Sequence, residues 1–133
     1  MLLKEYFEQN SGIGVLSTAD SDGKVDAAIY ARPHVMEDGT LAFIMRDRLT
    51  HSNLQGNPSA AYLFIERGGG YKGMRLFLRK IKEDDNQELI GKLTRRCLSP
   101  EEDEAKGPKF LVYFEIEKML ELIGSGVPAV EPA

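Results

Sequence analysis

The stretch TLAFIMRDRLTHSNLQGNP, residues 40–58, joins an almost wholly apolar run to a short helix. The run at residues 40–45 is typical of a buried strand. Asp47 or Thr50 can cap the helix that follows, because their side-chain oxygens accept backbone N–H bonds, and the Gly-Asn-Pro sequence ends it. A strand therefore leads directly into a helix N-terminus, where free N–H groups collect.

On both sides of this stretch the sequence predicts strands joined by tight turns. Gly23 and Gly39 each follow an aspartate, and three glycines at 68–70 form another turn. The connections are too short for parallel crossovers. We therefore expect one domain, residues 1–133, with a mainly β (α+β) fold in which a six-stranded antiparallel sheet closes into a small barrel. The strands are expected at residues 14–19, 25–32, 40–45, 60–66, 74–81 and 110–116.

Further short helices are expected at the periphery of this sheet. Apolar residues at helical spacing predict the first at residues 2–10. Ser99-Pro100-Glu101-Glu102 matches a capping box with proline at the first helical position. Asp84 or Asp85 can cap another helix, whose apolar face carries Leu89, Ile90, Leu93 and Cys97.

The composition excludes several classes of protein. The 133 residues are 42% apolar, which is too apolar for a disordered chain. No window holds the ~20 consecutive apolar residues of a membrane span, and Glu5 and Glu8 lie where a signal peptide stays apolar. The net charge of -4 argues against a nucleic-acid partner. One cysteine, Cys97, cannot form an internal disulfide, so we expect a cytoplasmic protein with no membrane partner.

Two formal motifs carry little weight. Residues 68–73 match G-x-G-x-x-G, but the segment after them predicts a strand rather than the helix of a dinucleotide fingerprint, so we expect a flexible hairpin. His34, His51 and Cys97 are the available soft metal ligands, and no short spacing connects them, so no metal site is expected. A triad hydrolase is not expected, because the sequence contains no nucleophile elbow and no recognisable Ser–His or Cys–His spacing. No catalytic residue is assigned.

The junction of strand and helix is the best candidate for a binding site. It contains Arg46, Arg48, Thr50, His51 and Ser52. Arginines and hydroxyls at the positive end of a helix dipole are the chemistry that binds a phosphate. Arg32 can converge on the same place, and Tyr30 can pack on a planar ring. In the alternative interpretation the two junction arginines are solvated and pair with Asp47 or the acids at 101–104, and the tyrosine only packs in the sheet.

The parts of the first half of the chain follow a recognisable order. They are GVLSTA at 14–19, a turn with Asp22-Gly23, a strand ending Tyr30-Ala31-Arg32-Pro33, an apolar strand after Asp38-Gly39, and THSNLQGNP at 50–58. This order resembles the pyridoxamine 5′-phosphate oxidase-like family of FMN-binding split barrels. The resemblance covers residues 12–82 well, and the order of later elements agrees through the strand near 110–117.

The helix carries the most specific part of the resemblance. The family commonly has Ser-Arg-Lys-x-x-Asn-Leu-x-x-Asn-Pro, and Asn53-Leu54 and Asn57-Pro58 match it directly. Thr50 replaces the lysine, and Ala28 stands where some members have a polar or basic phosphate ligand. The candidates for the cation that meets the phosphate are therefore Arg46, Arg48 and Arg32.

The resemblance implies a split β-barrel homodimer with FMN at the subunit interface. It places the flavin ring along the strands that carry Tyr30, Ile44 and Met45, and the FMN phosphate near Arg48, Thr50 and His51. The oxidases after which the family is named are longer and end in a segment with tryptophan and arginine. This chain has no tryptophan and ends in GVPAVEPA, so vitamin B6 oxidation is not expected.

We expect an FMN-dependent oxidoreductase or small electron carrier that acts on a small-molecule substrate or a redox partner. The flavin would supply the redox chemistry, and the protein would position it and tune its potential. The resemblance also includes relatives that use deazaflavin or bind haem. One alternative is therefore a haem or flavin carrier or sensor without turnover, for which His34 and His51 are the strong nitrogen ligands. Another is a purely structural interaction domain.

Overall fold

The computed structural model describes residues 1–93 and 107–133 as an antiparallel sheet with short helices. No helix among these residues is long and apolar enough to cross a membrane. Cys97, the capping box at Ser99 and the acids at 101–104 lie outside the described residues. In chain order the elements are α1 (Leu3–Gln9), β1 (Gly12–Ala19), β2 (Val25–Ile29), β3 (His34–Val35), β4 (Leu41–Arg46), α2 (Leu49–Gly56), β5 (Ser59–Glu66), β6 (Gly73–Asp84), α3 (Gln87–Leu93) and β7 (Lys109–Glu121).

All neighbouring strands run antiparallel, in the order β2-β1-β5-β6-β7-β4-β3, which confirms the predicted fold class. The described sheet has seven strands instead of six, because the strand predicted at 25–32 ends early and a short strand that was not predicted, β3, follows Pro33. Strand β2 ends at Ile29, and the separate β3 pairs with Leu41 and Ala42 of β4. Pro33, which has no N–H to donate, lies in the break. Among the described strands the ladder stays open between β2 and β3, so the barrel is not closed.

The sheet curls around a core of aromatic rings. The ring centroid of Phe43 on β4 lies 5.0 Å from that of Tyr62 on β5, although these strands belong to different halves of the sheet. Phe7 of α1 covers the core with edge contacts to Tyr62 and Phe64. Burial of each such side chain stabilises the fold by about 1.5–3 kcal/mol. The largest fully buried side chains are Leu3, Leu16, Leu41, Phe43, Tyr62, Phe64, Met74, Leu76, Leu78, Ile90, Leu111 and Phe114.

Helix α2 lies across the gap between the two halves of the sheet. It contacts β1 and β2 on one side and β4 on the other. Leu54 enters the core, and the buried Asn53 amide donates a 3.0 Å hydrogen bond to the Thr18 hydroxyl of β1. The Asn57 amide donates to the carbonyl of Asp20, at 3.4 Å, in the turn after β1. The two asparagines of the helix signature therefore fix α2 to the β1 half of the sheet.

The C-terminal end of α2 agrees with the prediction, and its cap does not. The helix ends at Gly56, as expected. Its N-cap is Arg48, whose side chain makes no capping bond, and not Asp47 or Thr50. The Asp47 carboxylate is bonded to the ring of His51 instead, and Thr50 already belongs to the first helical turn. The N–H groups at the start of α2 are therefore left without a side-chain cap.

Helix α3 packs on β7, on the face of the sheet away from the aromatic core. Ile90 forms a separate buried cluster with residues of β4 and β7, which confirms its place on the apolar face of this helix. The side chain of Asn86 accepts the backbone N–H of Leu89 at 3.1 Å. Asn86 therefore caps α3, in place of the predicted Asp84 or Asp85.

The predicted turns form where glycine allows a positive φ. The Asp20 carboxylate accepts the N–H groups of Asp22 and Lys24, both at 2.9 Å, and Gly23 has a φ of +84°. The glycines at 68–70 have φ between +80° and +109° and lead into β6. The G-x-G-x-x-G match is therefore a hairpin, as predicted, and not a nucleotide-binding loop.

Gly14 of β1 lets the Tyr62 ring approach the backbone, and this contact is testable. A Cβ on Gly14 would lie 1.9 Å from the Tyr62 hydroxyl oxygen. We expect Gly14→Ala to lower the free energy of unfolding by about 1–3 kcal/mol in urea denaturation, the usual cost of overpacking a core. In the control Gly91→Ala a Cβ meets no atom within 4 Å, so we expect a gain of about 0.5–1 kcal/mol. Equal effects at the two positions would contradict this packing.

Candidate functional site

A cavity of about 590 Å³ opens where the end of β2, strand β4 and the start of α2 meet. A volume of this size is in the range of sites that hold a cofactor or another small molecule. The strands contribute mainly apolar side chains to its walls, and basic side chains lie near the start of α2. The lining residues are Asp26, Ala28, Ile29, Tyr30, Ala31, Arg32, His34, Ala42, Phe43, Ile44, Met45, Arg46, Arg48, Leu49, Thr50 and Lys109.

Every predicted site residue except His51 and Ser52 lines this cavity. The fold brings these residues together from separate segments of the chain, because β4 and the end of β2 approach the same turn of α2. His51 is buried in another environment, described below. The predicted residues on the wall are Tyr30 and Arg32 from the segment after β2, Ile44, Met45 and Arg46 from β4, and Arg48 and Thr50 from the start of α2.

The first turn of α2 makes its side of the cavity electropositive. The Ser52 N–H donates to the Arg48 carbonyl at 2.9 Å, so the N–H groups of residues 49–51 have no acceptor within the helix. Among the described residues the structure shows no hydrogen bond from the Arg48 guanidinium, which lies at this turn. The positive end of the helix dipole adds to its charge. An anion at this place would therefore meet free donors and a full positive charge.

Arg32 and Arg46 line the cavity and also hold the fold together. Arg32 Nη1 donates to two carbonyl oxygens at the end of α1, at 2.5 and 2.9 Å. Arg46 Nη1 donates to the carbonyl oxygen of Gly107 at 2.5 Å. Both guanidinium groups therefore have structural bonds, which the sequence did not indicate. Arg48 is the arginine of this cavity best placed to bind a ligand.

Tyr30 and Thr50 share a hydrogen bond in the cavity wall. Burial raises the pKa of the Tyr30 phenol; the bond from Thr50 and the charge of Arg48 act in the opposite direction, and the Asp26 carboxylate adds to the rise. The phenol therefore stays protonated at neutral pH. Tyr30 is a neutral hydrogen-bonding group here and does not act as a base.

Some lining residues were missed in the sequence analysis. Asp26 lies four positions before Tyr30, so the alternation of β2 could have placed it on the same face. Ala28, between them, was named only as a position where some family members have a phosphate ligand. Lys109 is buried in the wall at the start of β7, where it pairs with Arg46 of β4. No local pattern indicates this lysine, because only the long-range pairing of β4 with β7 brings it to the cavity.

The similarity of this chain to known proteins lies in its fold. No family model and no curated protein matches its sequence. HupZ of Group A Streptococcus has a TM-score of 0.72 at 15% identity, with 96% of both chains covered. An FMN-binding protein of Syntrophomonas wolfei subsp. wolfei has a TM-score of 0.71 at 17% identity, with 91% of this chain and 84% of the other covered. A candidate pyridoxamine 5′-phosphate oxidase of Lactobacillus delbrueckii has a TM-score of 0.64 at 14% identity, with coverages of 88% and 89%.

The fold is the pyridoxamine 5′-phosphate oxidase-like split barrel. The resemblance stated from the sequence is thereby confirmed at the level of the fold. In this split barrel the cavity lies beside α2, the element that carries the helix signature.

His51 takes part in an ion cluster that joins α2 to β6 of the split barrel. Its Nδ1 lies 2.9 Å from Asp47 Oδ1, and its Nε2 lies 2.9 Å from Glu83 Oε2. Lys80 Nζ donates to Glu83 Oε1 at 2.5 Å. The ring of Phe110 on β7 stacks on the imidazole, with centroids 4.1 Å apart and an angle of 12°. The His51 side chain thus fastens the helix that borders the cavity.

The surroundings of Glu83 in this cluster favour its ionised form. Partial burial opposes its ionisation, but the hydrogen bonds from Gln55, Lys80 and His51 outweigh that effect and lower its pKa from 4.5 to about 2. A pKa that is lower in the folded state means that the ionised group stabilises the fold. This contribution is complete above about pH 4.5 and is lost as the pH falls towards 2.

We expect Glu83→Gln to lower the free energy of unfolding at pH 6 and to flatten its fall between about pH 4.5 and 2. The measurement is a series of urea denaturations across this range. Glu88→Gln is the matched control, because the Glu88 contact with Lys92 is 4.0 Å long and lies at the surface, where such pairs contribute little. Profiles of equal steepness for wild type and Glu83→Gln would contradict the stabilising role of Glu83.

Proposed function

We propose that this chain binds FMN in the cavity beside α2 and acts as an FMN-dependent oxidoreductase or small electron carrier in the cytoplasm. The observation that carries the proposal is the two-part wall of the cavity. Arg48, Thr50 and the free N–H groups of α2 form one part, and apolar residues of β2 and β4 form the other. FMN has the same division into a charged phosphate and a planar ring. The shared fold of the FMN-binding protein from Syntrophomonas wolfei supports this choice.

The first turn of α2 would hold the phosphate. Arg48 can bind two phosphate oxygens with its planar guanidinium, and the free N–H groups of residues 49–51 belong to the helical turn that follows it. Each charge-assisted hydrogen bond contributes roughly 1.5–3 kcal/mol. Thr50, which replaces the lysine of the family signature, can add a hydroxyl but no charge. Arg48 therefore carries most of the charge that the phosphate requires.

The strand residues would hold the flavin ring. Ala28 and Ile29 of β2 and Ile44 of β4 provide apolar surface, which binds a planar ring and excludes water from it. The bound flavin would supply the redox chemistry by accepting and releasing electrons. The residues of this chain would bind the cofactor, orient it and set the polarity around it. No residue is assigned as a general acid or base, and Tyr30 stays protonated as a hydrogen-bonding group.

A haem-binding role is less well supported, because it requires an available imidazole nitrogen. Both ring nitrogens of His51 are bonded to carboxylates. His34, the other histidine, lines the cavity but also makes an interaction of its own. We therefore favour the flavin. The absorption spectrum of the purified protein separates the two, since FMN gives a flavin spectrum and haem gives a Soret band.

The outer face of β1, β2 and β5 supports a homodimer. Strand register places Ile13, Val25, Ile29 and Ile65 on the same face, and Val25 and Ile29 are 84% and 73% exposed. Apolar side chains clustered on one exposed face are typical of an interface. Ile29 also lines the cavity, so a second copy on this face would complete its wall. We therefore propose a homodimer with FMN at the subunit interface.

The role of Arg48 is tested by titrating FMN and following the quenching of its fluorescence. Wild type should bind FMN, and Arg48→Ala should bind about 10- to 100-fold more weakly, because the charge-assisted phosphate bonds are lost. Arg67→Ala is the matched control, since Arg67 is exposed at the β5–β6 hairpin. A colourless wild-type protein that takes up no FMN would overturn the proposed function. Unchanged affinity in Arg48→Ala would move the phosphate to another part of the wall.

The proposed dimer is tested by light scattering. Wild type should have twice the mass of one chain, and Val25→Asp should give monomers, because it places a charge on the apolar face. Val127→Asp is the matched control, since Val127 is 74% exposed but lies in the C-terminal segment. A monomeric wild type that binds FMN would contradict the interface site.

A further inference from the structure

We propose that Asp26 is a specificity-determining residue of the cavity, whose carboxylate accepts a hydrogen bond from a hydroxyl of the ribityl chain that joins the flavin ring to the phosphate. The inference rests on the proposed function and deepens it, because it names the part of the ligand that this residue distinguishes. Asp26 lines the same cavity as Arg48 and the first turn of α2. An acid in the wall of a site for an anion requires a physical reason.

The polarity of strand β2 is the reverse of the usual pattern, in which apolar residues face inwards and polar residues face the solvent. Val25 and Ile29 are exposed, whereas Asp26 lies on the half-buried inner face. Aspartate is depleted in strands, and a carboxylate that faces inwards loses part of its hydration unless a partner replaces the water. The inward position of Asp26 is therefore unfavourable for the strand alone.

The fold does not supply a partner for this carboxylate. Among residues 1–93 and 107–133 the structure shows no hydrogen bond or ion pair to the Asp26 side chain. The Asp20 carboxylate, in the turn before β2, instead accepts the backbone N–H groups of Asp22 and Lys24. An ionised carboxylate only accepts hydrogen bonds, so the group that fits Asp26 is a donor on a molecule in the cavity.

Strand register places Asp26 beside α2, close to the proposed phosphate site. Asp26 pairs with Thr18 of β1, and the Thr18 hydroxyl accepts the hydrogen bond from Asn53 of α2. Asn53 lies one helical turn after Thr50, which belongs to the first turn of α2. Burial is the main cause of the raised pKa of the Tyr30 phenol, and the Asp26 carboxylate adds to the rise, so this carboxylate acts on the group that Thr50 hydrogen-bonds.

The ribityl chain is the part of FMN that matches this position. With the phosphate at the first turn of α2 and the ring against the apolar residues of β2 and β4, the hydroxyls of the chain are the donors next to the phosphate. The negative charge of Asp26 also repels the phosphate itself. Asp26 therefore favours a ligand with a hydroxyl-bearing chain and does not add to the attraction for the anion.

The experiment titrates wild type and Asp26→Ala with FMN, with riboflavin, which lacks the phosphate, and with lumiflavin, which also lacks the ribityl chain. Asp26→Ala should bind riboflavin about 10-fold more weakly, because a hydrogen bond to a charged group is lost, and should bind lumiflavin as wild type does. The loss for FMN should be smaller than that for riboflavin, because the variant also removes the repulsion of the phosphate.

Unchanged riboflavin affinity in Asp26→Ala overturns the inference and leaves the proposed function standing. An equal loss for riboflavin and lumiflavin also overturns it, because the carboxylate would then act on the ring. A wild-type protein that binds none of the three flavins overturns both the inference and the proposed function.

Two further variants separate this role from a structural one. Asp22→Ala, in the exposed β1–β2 turn, is the matched control and should leave all three affinities unchanged. Asp26→Asn keeps an oxygen acceptor without the charge, so its riboflavin affinity should lie between those of wild type and Asp26→Ala. Urea denaturation of the free protein should show no loss of stability in Asp26→Ala, because the carboxylate has no partner in the fold. A loss of stability together with equal losses for all three flavins would show a structural role and overturn the inference.

Discussion

The hydrogen bond from the Asn53 amide to the Thr18 hydroxyl holds α2 in the gap of the split sheet, and the cavity depends on this placement. Such a bond contributes about 1 kcal/mol, but leaving one of its buried partners unpaired costs about 1–3 kcal/mol. Because α2 is held there, its first turn faces the end of β2 and strand β4. The contact that fixes α2 to the sheet therefore also places the free N–H groups of its first turn at the cavity.

The basic residues around the cavity divide into structural and available ones. The guanidinium groups of Arg32 and Arg46 donate hydrogen bonds to backbone carbonyls and hold neighbouring segments together. Arg48 is the N-cap residue of α2, and its side chain makes no capping bond. A chain with a net charge of -4 can in this way keep a locally positive site. The His51 ring, bonded to Asp47 and Glu83, lies on the same helix but outside the cavity. Helix α2 therefore borders the cavity with its first turn and also carries the histidine of the ion cluster.

The sequence was sufficient for features that depend on neighbours along the chain. Apolar runs, Asp-Gly turns and the Gly-Asn-Pro sequence after the helix predicted the antiparallel sheet and the C-terminal end of α2. Tertiary pairing determined the rest. Lys109 lines the cavity only because β7 pairs with β4. The His51 ring contacts Glu83 of β6 and does not line the cavity. Asp47 or Thr50 was the expected cap of α2, but the Asp47 carboxylate is bonded to the His51 ring and Thr50 lies within the helix.

In the proposed function the first turn of α2 holds the phosphate of a flavin cofactor. The most direct test compares the backbone amide NMR signals of residues 49–51 after addition of FMN and after addition of riboflavin. These amides should shift strongly with FMN and only weakly with riboflavin, because only FMN brings a phosphate to their N–H groups. Shifts of equal size with both ligands, or FMN shifts confined to another part of the chain, would contradict the account.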